Sequence, residues 1–93
     1  MYTYILYFKG GTYISQVQAN SLKESMSVWA NNININDIQY FGKSAKVQLI
    51  NQVVDDTAVL IRGLYNVWYA GFVISGVYTS CNIIKTDSVP EVI

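Results

Sequence analysis

Apolar and polar residues follow one another along this chain in two different rhythms, and the switch between them predicts its layout. Residues 2 to 8, Tyr-Thr-Tyr-Ile-Leu-Tyr-Phe, are all aromatic, aliphatic or Thr. Such a run predicts a strand, and one without polar alternation suits a central strand buried on both faces. Lys9-Gly10-Gly11 predicts a tight turn, because glycine accepts positive φ at no steric cost. Residues 12 to 18 return as a second strand whose facing the pattern leaves open.

The rhythm then becomes helical. Ser21 with Glu24 three residues on is a capping box, and Leu22, Met26, Trp29 and Ile33 follow at spacings of four, three and four. Asn31 and Asn32 weaken the helix and mark its end. Ile35, Ile38 and Phe41 recur every three residues, which allows a short helical turn closed by Gly42. Ser44 is the expected cap of a second helix reaching about Val54, with Val47, Ile50 and Val54 as its stripe, widened by Leu49 and Val53.

The last third reads as strand: a short one over residues 57 to 62, then residues 66 to 74 and 77 to 84 paired as a hairpin across Ser75-Gly76. Residues 63 to 84 carry no charge and lie between Arg62 and Lys85, long enough to span a bilayer. Asn66, Ser75, Thr79, Ser80 and Asn82 interrupt the run, and its Val, Ile and aromatic content fits strands, so a buried hairpin is expected and not a membrane span. The predicted order is ββααβββ, an α+β domain over residues 1–86 with two helices packed on one face of a mainly antiparallel sheet. Residues 87–93 are expected to form a loose tail holding the only proline, Pro90.

Composition narrows the function. The chain has 93 residues, of which 13% are charged, about half the usual share, with net charge zero. Its polar surface must therefore come from the 8 Asn, 5 Gln, 8 Ser and 5 Thr, together with 8 Tyr. A weakly charged surface resists association poorly, which points to a partner, most simply a second copy as a homodimer. The abundance of Asn, Ile and Tyr suggests AT-rich, bacterial coding. A single cysteine, Cys81, with no signal-peptide pattern at the N-terminus, makes a cytoplasmic location the expectation.

Catalytic groups are scarce. With no histidine, Ser-His and Cys-His nucleophile pairs and His-containing zinc sites are excluded, and one cysteine cannot build a Cys₄ site. Asp55-Asp56 is an adjacent carboxylate pair that a hard cation accepts, yet no further carboxylates stand at ligand spacing. The pair is read as helix-end solvation, Cys81 as a small buried side chain, and the expectation is a non-enzymatic domain with no metal and no cofactor.

Recognition then falls to the aromatics. Trp68, Ala70, Phe72 and Ile74 share one strand face; Val67, Tyr69, Gly71 and Val73 share the other. A protein–protein contact or self-association is expected through an aromatic, weakly charged sheet surface, with Trp68, Tyr69 and Tyr78 as its anchors. Two alternatives remain: stacking of single-stranded nucleic acid on the sheet aromatics, for which the scattered Lys and Arg give little support, and a small-ligand pocket between helices and sheet beside Trp29.

Overall fold

The computed structural model describes residues 1–55 and 58–86. Five strands form one antiparallel sheet: β1 (Tyr2–Phe8), β2 (Gly11–Val17), β3 (Val59–Leu60), β4 (Val67–Ile74) and β5 (Val77–Lys85), in the spatial order β2-β1-β5-β4-β3. Two helices, α1 (Leu22–Asn32) and α2 (Lys43–Val53), lie between β2 and β3 in sequence and pack against the sheet. The order ββααβββ is the one the sequence predicts. No helix among the described residues is long and apolar enough to cross a membrane.

Both long hairpins turn on two residues with positive φ, Lys9 (46°) with Gly10 (82°) and Ser75 (53°) with Gly76 (76°). This is the type I′ geometry that matches the right-handed twist of the strands. The turns set the register, Phe8 opposite Gly11 and Ile74 opposite Val77. Because side chains alternate along a strand, the register decides what each face carries. Tyr4, Leu6, Phe8, Ala70, Phe72, Ile74, Cys81 and Ile83 point to the helices and are buried.

The helix α1 begins where its capping box places it. The Ser21 hydroxyl accepts from the Glu24 N–H at 3.1 Å, while the Glu24 carboxylate reaches back one residue further than usual, to the Asn20 N–H at 3.0 Å. Met26 and Trp29 are buried, with Leu22 and Ile33 half-buried beside them. Trp29 stacks on Tyr4 with ring centroids 4.4 Å apart and touches Phe72 at 6.3 Å, so the indole is core packing between helix and sheet. Lys46 of α2 donates to the Ile33 carbonyl at 2.9 Å, placing a cation at the negative end of α1.

Several expectations are corrected. Strand β1 has neighbours on both edges, but only its even-numbered face is buried; Thr3 and Ile5 are half-buried and Tyr7 is exposed, because both helices lie on the other side. The helix α2 starts at Lys43 with Gly42 as its N-cap, and no side chain caps it. Ser44 lies inside the first turn and accepts from the Gln48 side chain. Its buried stripe is Ala45, Leu49 and Val53, while Val47 and Val54 are exposed. Ala45 takes the place in the buried stripe that Val47 was expected to hold. The segment 34–43 contributes a single 3₁₀ turn at Ile35–Asp37, then buries Ile38 and Phe41. Of the strand expected over 57–62, the described residues 58–62 hold Val59–Leu60. Asp56 and the tail at 87–93 lie outside the described residues.

Candidate functional site

The sheet has a helix side and an open side, and no described element covers the open one. Register builds it row by row across the strands. One row runs Gln16, Thr3, Ile84, Val67. The next runs Ile14, Ile5, Asn82, Tyr69, Val59. A third runs Thr12, Tyr7, Ser80, Gly71, and the last pairs Tyr78 with Val73. None of these residues is charged. Large apolar and aromatic groups stand in the open, with Ile14 67%, Tyr78 62%, Val59 64% and Val73 56% exposed. On an ordinary antiparallel sheet the solvated face alternates to charge and polarity; this one alternates to Ile, Val, Tyr and neutral polar groups.

Its centre is the Tyr69–Tyr78 pair. The two hydroxyls are hydrogen-bonded to each other across β4 and β5. That bond keeps the proton on Tyr69 and raises its pKa above the usual tyrosine value. Tyr78 leans over Gly71, where a Cβ would collide with its ring and hydroxyl. The glycine therefore lets the ring lie down on the sheet, a use of its missing side chain that the turn positions do not share.

The three predicted anchors separate. Tyr69 and Tyr78 meet on the open face. Trp68 faces the other way, half-buried against the Tyr2 ring at 6.3 Å on the helix side. Val73 lies there with Tyr69 as strand alternation predicts, and Ile14, Val59 and Asn82 join the open face without having been assigned to it by sequence. Strand alternation assigns their parity, but the side that the helices cover is known only once α1 is docked.

The two edges of the sheet differ. Beside β3, which covers Trp68 and Tyr69, the outer edge of β4 is closed by α2. The Gln52 side-chain amide donates to the Val73 carbonyl at 2.7 Å and accepts from the Val73 N–H at 2.9 Å, in the manner of a strand neighbour. Gln48 accepts from the Ser75 N–H at 2.8 Å. The i, i+4 spacing puts both glutamines on one helix face. At the opposite edge, β2 pairs with β1 on one side and with no strand among the described residues on the other. A groove of about 500 Å³ runs beside it on the helix side, between β2 and the end of α1, with Tyr13, Val17, Trp29, Ile33 and Ile38 in its walls. The Tyr13 hydroxyl accepts from the Gln39 N–H there at 3.2 Å.

Burial pushes the Cys81 thiol up to about 12, so it stays protonated at neutral pH. Burial likewise raises Tyr4. Among the described residues no three His, Cys, Asp or Glu side chains gather as a metal site would require. Comparison with family models, with curated proteins and with solved structures returns no match.

Proposed function

We propose that this chain is a non-catalytic protein-interaction domain that self-associates through the open face of its sheet. The observation that carries the reading is that, among the described residues, no charged side chain stands on a sheet face that displays Tyr69, Tyr78, Val73, Val59 and Ile14. In a two-fold contact each side chain meets the same surface on the other copy, so charges on the face would meet like charges; a neutral face has none to oppose. Four full strands and one short one, at about 4.8 Å spacing and about 24 Å long, give a footprint of about 500 Å². Two such faces bury about 1,000 Å², the lower bound for a specific interface, so the expected dimer is reversible. The paired tyrosines supply rigid amphipathic contact area at its centre. Stacking of single-stranded nucleic acid is the weaker reading, because a stacking platform carries cations beside its aromatics and this face carries none.

Absolute mass by light scattering behind size exclusion, over a concentration series, tests it. The expected result is a dimer insensitive to salt, whose dissociation constant rises at least tenfold in the double variant Tyr69→Lys/Tyr78→Lys while the melting temperature holds. A wild-type chain that stays monomeric at high micromolar concentration, or a double variant that associates unchanged, refutes the reading.

A further inference from the structure

The β2 edge is a second surface, built from backbone groups where the open face is built from side chains. In a two-residue hairpin the residues flanking the turn exchange backbone hydrogen bonds, so Phe8–Gly11 is a bonded pair and every second pair after it is too. On β2 the residues bonded to β1 are therefore Gly11, Tyr13, Ser15 and Val17. The N–H and C=O groups of Thr12, Ile14 and Gln16 point outward. The strand holds none of the devices that blunt an edge: no proline, no charged residue, and a regular register through all seven residues. On the other edge of the same sheet, Gln48 and Gln52 bond the backbone of Ser75 and Val73 and β3 pairs with Trp68 and Tyr69, so less of β4 than of β2 is left without a partner among the described residues.

We propose that β2 pairs antiparallel with β2 of a second copy about a two-fold axis at Ile14, joining two five-stranded sheets into one. Only this two-fold register engages all three outward residues on both chains, with Thr12 opposite Gln16, Ile14 opposite Ile14 and Gln16 opposite Thr12. Its side chains are self-complementary. On the open face a hydroxyl meets an amide and isoleucine meets isoleucine. On the helix side Tyr13 stands opposite Ser15, large against small, and the groove beside β2 leaves room for the incoming strand's side chains. No like charges meet at any position of β2. The pairing also makes the two uncharged faces continuous. It shares Ile14 with the open face but lies at the other side of the sheet from Tyr69 and Tyr78, and its backbone bonds stand whether or not that contact forms.

Cysteine cross-linking in the full chain reads the register directly. Bonded antiparallel partners sit about 5.5 Å apart at Cα, within disulfide reach. Ile14→Cys is therefore expected to form a covalent dimer under mild oxidation at least tenfold faster than Thr12→Cys, whose own image lies four residues away along the strand. Cys81 is fully buried and does not compete. Equal rates for the two variants, or no cross-link in either, overturn the proposal. Ile14→Pro gives a second reading, since it removes an outward N–H and leaves the β1 ladder whole. With its circular dichroism unchanged, its mass is expected to fall to half that of the wild type; an unchanged mass overturns the edge pairing. In Tyr69→Lys/Tyr78→Lys, a mass that falls no further than a dimer, with retained Ile14→Cys cross-linking, places the two contacts apart, whereas an unchanged mass with no cross-linking at Ile14 overturns the edge pairing.

Discussion

The buried hydroxyl pair of Tyr4 and Ser25 makes a prediction that turns on counting protons. Tyr4 on β1 and Ser25 on α1 are fully buried and lie 2.6 Å apart, oxygen to oxygen. Ser25 has one hydroxyl proton, and it goes to the Leu22 carbonyl at 2.7 Å. Tyr4 must then be the donor to Ser25, and the chain runs from phenol to serine to backbone. Removing the donor and removing the acceptor are not equivalent. In Tyr4→Phe the serine keeps its own bond and loses one accepted hydrogen, a cost of about 1 kcal/mol. In Ser25→Ala the phenol proton is left buried without an acceptor, which costs about 1–3 kcal/mol, offset by up to about 0.5 kcal/mol of better helix propensity. In the double variant both polar groups are gone together, and the total is expected below about 1 kcal/mol, against about 3 kcal/mol if the two singles simply added. Urea denaturation with a common slope measures all three. Additive singles, or a Tyr4→Phe variant weaker than Ser25→Ala, would show that the proton does not run from phenol to serine.

Three further outcomes follow from the same geometry. Gln52→Glu keeps the acceptor for the Val73 N–H but sets a carboxylate oxygen against the Val73 carbonyl; it is expected to cost about 1–2 kcal/mol at pH 7, or about 4–16 °C in melting temperature, and to recover below about pH 4 as the carboxyl regains a proton to donate. A deficit that persists in acid would contradict the pairing. At alkaline pH the unfolded chain loses the Cys81 proton near its ordinary value of 9.0, while the folded chain holds it to about 12; stability is therefore full below pH 9 and falls by about 1.4 kcal/mol per unit above it, more steeply once Tyr4 joins above 10.0. Cys81→Ala should remove the first part of that slope in pH-dependent denaturation, and an unaltered slope would assign it elsewhere. Ser75→Asn, at φ 53° before Gly76, is expected to raise stability by a few tenths to about 1 kcal/mol, since Asn-Gly is the preferred type I′ turn; a lower melting temperature would refute that assignment.

Strand and helix identity was legible because it is local. The Ser21–Glu24 box, the stripe through Met26 and Trp29, and the glycine-bearing turns at 9–10 and 75–76 each act within a few residues. What was not legible depends on which face another element covers. The all-apolar β1 reads as buried on both sides, yet the helices cover only the Tyr4–Leu6 side. Trp68 and Tyr69 are adjacent and equally aromatic, and their fates divide because α1 and α2 pack on one side of the sheet. The stripe of α2 shifted for a similar reason: Ala45 is a weak apolar signal in sequence and is buried in three dimensions. Gln48 and Gln52 close a sheet edge, a role visible only when β4 lies alongside.

The unequal edges of the sheet set a limit on growth. In polymerisation terms, a subunit with two reactive ends is bifunctional and propagates, whereas one with a single reactive end is a chain stopper. Here α2 has consumed one end with its glutamines, and β3 is too short to template a neighbour. On the proposed β2 pairing each copy offers one open strand edge, so strand addition alone would stop at two. The same backbone with Gln48 and Gln52 replaced by residues lacking the amide would regain the second function, and its hazard would be fibres.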